Sequence, residues 1–168
     1  MPDVKIRPWW HWLAISIVII VLDQLTKVLI QRSFAGGESM EITPFFNLVL
    51  AYNKGAAFSF LADAGGWQRG FFISLAVVIS AFLLWMMRAH PANRLLCVAL
   101  ALVFGGAMGN LYDRVVLGHV VDFIQIHGAG YYFPAFNVAD SAISVGAGLL
   151  ILDSFRKHPP ASTASQGQ

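Results

Sequence analysis

The sequence predicts an all-α membrane protein with four transmembrane helices and a small extracytoplasmic β-rich segment between helices 1 and 2. Of its 168 residues, 57% are hydrophobic and only 12% are charged, whereas soluble domains carry about 25% charged residues. The mean hydropathy is +0.65, and four apolar stretches are long enough to enter a bilayer. The formal net charge of +2, without a large basic cluster, gives no indication of nucleic acid binding.

The first predicted helix covers about residues 10–30. A cluster of tryptophans precedes it, as is typical where a helix enters the membrane. The basic start is similar to that of a secretory signal peptide, but no small-residue cleavage site follows, so this helix is expected to be retained. Asp23 and Lys27 lie four residues apart on one face of the helix and are expected to pair. Asp23 is also a candidate site residue, because ionisable groups inside membrane helices are costly and usually functional.

Residues 31–66 lack membrane character and are expected to form a small sheet outside the membrane. The alternating pattern of residues 46–52 suggests a short strand. Residues 53–58 are expected to form a turn, in which Gly55 allows a close approach of the backbone to another group.

Three further membrane helices are predicted over about residues 67–88, 94–112 and 137–155. The turn between the second and third helices is short, so these two are expected to be antiparallel neighbours. Gly105 and Gly109 on the third helix have the spacing that lets helix backbones approach closely in lipid.

The whole of residues 1–158 is expected to be one integral membrane domain, in which residues 113–136 form a catalytic loop. A polar cytoplasmic tail, residues 159–168, follows. The distribution of Lys and Arg favours both termini in the cytoplasm. The terminal side carries six basic residues, which are Lys5, Arg7, Arg88, Arg94, Arg156 and Lys157. The opposite side carries four, which are Arg32, Lys54, Arg69 and Arg114, and Lys27 would make five. Residues 31–66 and the catalytic loop would then face outward.

Asp122 and Asp140 are the candidate chemical groups, since Asp140 opens the apolar run of the fourth helix and Asp122 lies inside an apolar stretch of its own, residues 119–124. An ionised carboxylate at the centre of a membrane helix costs roughly 2.5–3.5 kcal/mol. Two carboxylates held close together can share one proton, so that one acts as a base and the other as an acid. The structural alternative is that each carboxylate caps a helix or pairs with Arg114, and the position of Asp140 in a first helical turn fits both interpretations.

Other chemistries have less support in the sequence. His119, His127 and Asp122 lie near each other along the chain, but they match no H-E-x-x-H or cysteine–histidine pattern, so no metal site is expected. Ser141 lacks the G-x-S-x-G context of a serine nucleophile. A proton relay in a small membrane transporter, or a subunit of a larger membrane complex, stays open as an alternative use of the same carboxylates.

Five short motifs, in register along the chain, resemble those of the lipoprotein signal peptidase (signal peptidase II) family. They are Asp23-Gln24, Asn53-x-Gly55-Ala56-Ala57-Phe58, Gly109-Asn110-Leu111-Tyr112-Asp113-Arg114, Val121-Asp122-Phe123 and Phe136-Asn137-Val138-Ala139-Asp140. The resemblance extends to about Leu152. It implies a four-helix aspartyl endopeptidase of the bacterial cytoplasmic (inner) membrane, with its active site at the extracytoplasmic face. Such an enzyme removes signal peptides from diacylglyceryl-modified prolipoproteins by cleaving just before the lipidated cysteine.

Carried over by residue, the resemblance implies that Asp122 and Asp140 are catalytic. It also implies a substrate-binding set, which is Asp23, Asn53, Gly55, Asn110, Arg114 and Asn137. The partners implied are diacylglyceryl-prolipoprotein substrates and membrane lipid, with no cofactor, no metal, no nucleic acid and no obligate protein partner. Asp113 lies inside a motif but outside the catalytic pair, and it is expected to be structural and to pair with Arg114.

Overall fold

Residues 8–55 and 66–156, which the computed structural model describes, form four α-helices and one small sheet. A 3-10 turn, Trp9–Trp12, leads into the first helix. The helices are α1 (Leu13–Ser33), α2 (Trp67–Ala89), α3 (Arg94–Val116) and α4 (Val138–Ser154). Residues 56–58 of the expected turn at residues 53–58 and the polar tail, residues 159–168, lie outside the described residues.

Three helical segments of the described chain are long and apolar enough to cross a membrane, namely Trp9–Ser33, Trp67–Ala89 and Arg94–Val116. Large apolar side chains on α1 and α2 are exposed, as a lipid-facing surface requires. The fourth helix has 17 residues, which corresponds to about 25 Å at 1.5 Å per residue. A hydrocarbon core is about 30 Å thick, so the fourth membrane span stays a prediction.

The sheet differs from the one predicted, because it is built from two distant segments. Strands β1 (Ser39–Thr43) and β2 (Phe46–Asn53) come from the segment after α1, where strands were expected. Strands β3 (Val120–Gly128) and β4 (Tyr131–Tyr132) come from residues 113–136, which were predicted to be a catalytic loop. The four strands are antiparallel in the order β1-β2-β3-β4. The prediction of a loop over these residues was wrong, because the apolar run that starts β3 pairs with β2, which is distant in the sequence.

Helix α3 is the central helix, and it contacts each of the other three. Two of its glycines make close approach possible. A Cβ atom at Gly106 would lie 2.3 Å from the carbonyl oxygen of Ala139 on α4, and one at Gly109 would lie 2.6 Å from a carboxylate oxygen of Asp23 on α1. Both distances are far below van der Waals contact, so α3 can pack this tightly against its neighbours only with glycine at these positions.

Candidate active site

A cavity of about 620 Å³ opens where the sheet meets the adjoining ends of α3 and α4. Its apolar wall comes mainly from residues 133–136 and from α4. Its polar wall contains seven side chains, which are those of Asn53, Asn110, Arg114, Asp122, Asp140, Ser141 and Ser144. Five of these had been assigned to a site from the sequence, whereas Ser141 and Ser144 had not. Ser144 lies four residues after Asp140 and so on the same face of α4, a spacing that could have indicated it from the sequence. Ser141 follows Asp140 directly, and no spacing rule pointed to it.

Strand β3 directs Asp122 into the cavity through its alternating side chains. Val121 and Phe123 face the other way and pack into a buried apolar cluster with Ile30 and Leu50. The pairing of β2 with β3 shifts register between Leu48 and Ala51, immediately before the Ala51–Asp122 pair. Irregularities of this kind often lie beside active sites, because they re-aim a side chain.

The Asp122 carboxylate is only 2% exposed and accepts two side-chain hydrogen bonds. The Asn53 amide donates to it at 3.1 Å and the Asn137 amide at 2.7 Å. Burial, and after it the neighbouring Asp140 carboxylate, raise the pKa of Asp122, and the two amide donors act in the opposite direction; the net result is a pKa raised from 3.8 to about 7. At neutral pH, Asp122 therefore holds a proton for a substantial fraction of the time.

Asp140 lies in the first turn of α4 and is held by donors from two elements. The Asn110 side chain of α3 donates to one carboxylate oxygen at 2.7 Å. The backbone N–H of Asn137 donates to the other at 3.3 Å, while the Asn137 side chain accepts a hydrogen bond from the Asp140 backbone N–H at 2.9 Å. This reciprocal arrangement is a capping box, which fixes the start of the helix. Asp140 therefore serves the helix end and faces the cavity at the same time.

Asn137 connects the two carboxylates. It is fully buried, and it donates to Asp122 through its side chain and to Asp140 through its backbone. It does not line the cavity but lies directly behind the pair. Because one residue holds both carboxylates, the pair keeps a fixed mutual geometry.

Arg114, one helical turn after Asn110 on α3, closes another part of the cavity wall. One guanidinium nitrogen donates to the Gly55 carbonyl at 2.9 Å, and the guanidinium lies 5.0 Å from the centre of the Phe72 ring. Gly55 thus takes part in the site through its backbone. The Nε of Arg114 is buried and has no hydrogen-bond partner within the described ranges.

Behind the cavity lies a buried cluster of ions. The predicted pair of Asp23 and Lys27 is confirmed, with 2.8 Å between its charged atoms. The predicted pairing of Asp113 with Arg114 was wrong, since the Asp113 carboxylate lies 2.8 Å from the Lys27 ammonium and also accepts the Val121 backbone N–H at 3.1 Å. Asp113 and Arg114 are consecutive residues on a helix, so their side chains point in different directions.

Asp23 does not line the cavity, although it was placed in the substrate-binding set from the sequence. It is fully buried, and its second carboxylate oxygen accepts the backbone N–H of Ala139 at 2.9 Å. Asp23 therefore fixes the first turn of α4, one residue before Asp140. The histidines considered for a metal site lie elsewhere: His119 packs against the Tyr52 ring at 4.5 Å, and a ring nitrogen of His127 lies 3.0 Å from Asn47.

This arrangement suits acid–base hydrolysis of a carbonyl compound. Two carboxylates close together in a buried site cannot both ionise cheaply, so the pair holds one proton. The ionised member can take a proton from water, and the protonated member can donate to a carbonyl oxygen. The apolar wall beside the pair can receive an apolar part of a ligand.

The chain is similar over most of its length to known proteins of one family. The family described as "Signal peptidase (SPase) II" matches residues 15–156. A lipoprotein signal peptidase of Cupriavidus necator is 58% identical over 146 residues, which cover 87% of this chain and 83% of that protein. A lipoprotein signal peptidase of Ralstonia nicotianae is also 58% identical, over 87% of this chain and 84% of its own length.

The fold is similar to that of a solved structure described as a bacterial membrane enzyme. The two share a TM-score of 0.78 and 32% sequence identity, over 90% of this chain and 94% of the other. The likeness therefore includes the helices and the sheet that together form the cavity.

Proposed function

The chain belongs to the signal peptidase II family, and from this premise we propose that it is a membrane-embedded aspartyl endopeptidase. Its substrates are diacylglyceryl-modified prolipoproteins, from which it removes the signal peptide by cleaving just before the lipid-modified cysteine. The observation that supports this most directly is that Asp122 and Asp140 face one cavity and are both held by Asn137. The family supports the peptidase activity and the lipoprotein substrates, and the paired carboxylates support an aspartyl mechanism.

The proton of the pair starts on Asp122, whose raised pKa of about 7 keeps the acid form populated. Asp140 lies in the first turn of α4, where the helix N-terminus favours a negative charge, and it starts as the carboxylate. A water between them attacks the scissile carbonyl carbon and passes one proton to Asp140, while Asp122 donates its proton to the carbonyl oxygen. The tetrahedral intermediate then collapses: Asp140 gives its proton to the leaving nitrogen, and Asp122 recovers its own from the hydroxyl group that becomes the new carboxylic acid. No covalent intermediate with the enzyme forms.

The remaining site residues position the substrate. Arg114 and Asn53 lie on the cavity wall on the sheet side and provide donors for peptide carbonyls. The wall formed by Phe133, Phe136 and the apolar face of α4 accepts apolar substrate groups beside the carboxylates. The reacting bond is thereby anchored by binding energy away from the point of chemistry.

The proposed setting is the bacterial cytoplasmic membrane. Both termini lie in the cytoplasm, α4 is the fourth span, and the sheet and cavity lie at the extracytoplasmic face. Tyr131, Tyr132 and Phe133 are exposed beside the cavity, as aromatic side chains at a membrane surface commonly are. In this position the diacylglyceryl chains stay in the outer leaflet while the scissile bond enters the cavity.

The test is cleavage of a synthetic diacylglyceryl-modified precursor by the purified protein, with products identified by mass spectrometry. We expect a product that begins at the lipidated cysteine. Asp122→Asn and Asp140→Asn should each lower turnover by about 10²-fold or more, since Asn keeps the size but cannot transfer the proton. Asp153→Asn is the matched control, because Asp153 is also a buried carboxylate on α4 but lies at its far end, where it accepts from Asn93.

An unlipidated precursor of the same sequence is the comparison substrate. The proposal fails if the wild-type protein cleaves neither the lipidated nor the unlipidated precursor, or if it cuts the unlipidated one as fast as the lipidated one. It also fails if Asp122→Asn or Asp140→Asn keeps substantial turnover. Proton movement into vesicles without cleavage would instead support the transporter alternative.

A further inference from the structure

Lys27 is a buried cation that the proposed reaction does not use. It is 1% exposed, lies in the middle part of α1 and is absent from the cavity wall. Each of its three N–H groups has an acceptor: Asp23 and Asp113 at 2.8 Å, and the side-chain oxygen of Asn110 at 3.0 Å. The two carboxylates account for its burial, because a buried charge requires paired partners. The third contact, to Asn110, connects Lys27 to the candidate active site.

Asn110 connects Lys27 to Asp140. The Lys27 ammonium donates to the Asn110 oxygen, and the Asn110 amide nitrogen donates to the Asp140 carboxylate at 2.7 Å. An ammonium group can only donate hydrogen bonds, and an ionised carboxylate can only accept them. Reversing the Asn110 amide would therefore place its N–H groups against the Lys27 ammonium, and its oxygen against the Asp140 carboxylate. With Lys27 in place, one orientation of the amide is strongly favoured.

Asn137 is the other donor to the Asn110 oxygen, but it is shared. Its amide nitrogen has three acceptors, namely Asp122 at 2.7 Å, Asn110 at 3.2 Å and the Val121 carbonyl at 3.2 Å. An amide carries two hydrogens for these three acceptors, and the Asp122 oxygen is the closest of them. Lys27 is therefore the main donor that holds the oxygen of the Asn110 amide, opposite the contact of its nitrogen with Asp140.

We infer that Lys27 is a positioning residue for the proposed reaction: by holding the Asn110 amide in one orientation, it keeps the Asp140 carboxylate aligned in the cavity. This inference rests on the proposed function and concerns the same site. It differs from a purely structural role, in which Lys27 only neutralises Asp23 and Asp113. In the structural case, losing Lys27 would lower the amount of folded enzyme but would not act through Asn110.

A double-mutant cycle separates the two roles. The variants are Lys27→Met, which keeps an unbranched apolar stem without the ammonium group, Asn110→Ala, and the two together. Cleavage of the diacylglyceryl-modified precursor is measured under steady-state conditions over a range of substrate concentrations, with enough folded enzyme to keep slow variants within range. We expect Lys27→Met to lower kcat by roughly 10- to 100-fold, the value of a hydrogen bond to a charged group. Its KM should change by less than about threefold, because Lys27 is not on the cavity wall.

In the Asn110→Ala background, the same Lys27→Met substitution should cost less than about threefold, because the residue through which it acts is already missing. Asp153→Asn provides the comparison for a destabilising change that does not act through Asn110. Its effect should be equal in both backgrounds, since Asp153 lies at the opposite end of α4. If Lys27→Met does not fold, the cycle is run with Lys27→Met/Asp113→Asn, which leaves the net formal charge of the ion cluster unchanged.

The inference is overturned if Lys27→Met retains wild-type kcat, if its loss is equally large with and without Asn110, or if the loss appears in KM alone. Failure of the proposed function looks different, because the wild-type protein itself would then leave the lipidated precursor uncut, and the inference would fall with it.

Discussion

Asn53→Ala should move the alkaline limit of activity to higher pH. The Asn53 amide donates to Asp122 at 3.1 Å and favours the ionised form of that carboxyl. In the proposed reaction Asp122 must carry the proton, so turnover should fall as the pH rises through its pKa of about 7. Removing the donor makes ionisation harder, so the pKa rises and the active form persists to higher pH.

The size of the shift follows from the contact. A hydrogen bond to a charged group contributes about 1.5–3 kcal/mol, and one pKa unit corresponds to about 1.4 kcal/mol. At 3.1 Å the bond is of ordinary length, so the lower part of that range applies and the alkaline limb should move up by about one pH unit. The maximal rate should also decrease, because Asn53 lines the cavity. The position of the limb does not depend on the height of the plateau.

The assay is the pH profile of kcat/KM for cleavage of the lipidated precursor. Asn47→Ala is the matched control, because Asn47 lies on the same strand and donates across to Gln125 of β3 at 3.2 Å, away from Asp122. Its profile should coincide with that of the wild type. The reasoning is refuted if the limb of Asn53→Ala stays in place or moves to lower pH, or if Asn47→Ala shifts it equally.

Three further predictions concern packing, topology and stability. Gly109→Ala should lower the free energy of unfolding by about 1–3 kcal/mol, because its Cβ would lie 2.6 Å from a carboxylate oxygen of α1. Gly148→Ala on α4, which meets nothing within 4 Å, should be neutral or stabilising in the same denaturation assay. A cysteine at Glu41 should react with a membrane-impermeant reagent added to spheroplasts, and one at Ala92 should not; the opposite pattern would invert the proposed topology. Because the pKa of Asp122 is raised from 3.8 to about 7 in the folded protein, its contribution to stability is fully present below about pH 4 and is lost as the pH rises through 7. Wild-type protein should therefore melt at a lower temperature at pH 8 than at pH 5, and Asp122→Asn should reduce that difference; an equal difference in both would contradict the assigned pKa.

The sequence by itself determined the class of the protein and the identity of its paired carboxylates. The composition and apolar stretches predicted membrane helices, and within residues 8–55 and 66–156 three helical segments are long and apolar enough to span a bilayer. The Asp23–Lys27 pair was predictable because helical geometry alone brings residues four apart together. Asp122 and Asp140 stood out because carboxylates beside apolar runs are costly and therefore rare.

The tertiary structure decided how those residues meet. Strand β3 pairs with β2 across a gap of many residues, and no local pattern in residues 113–136 contained that information. The partner of Asp113 changed from Arg114 to Lys27 because the close packing of α3 on α1 sets which side chains share a buried space. For the same reason, Asp23 lies behind the cavity and not on its wall, where the sequence had placed it.

The hydrogen bonds that connect Lys27 through Asn110 to Asp140 likewise could not be predicted from the sequence. Its three members come from α1, α3 and α4, and each contact has a long sequence separation. Periodicity reports which side of one helix is apolar, but it does not report how that helix is rotated against another. Rotation and depth are fixed by contacts that form only when all the helices are packed, and in this protein those contacts orient the carboxylates.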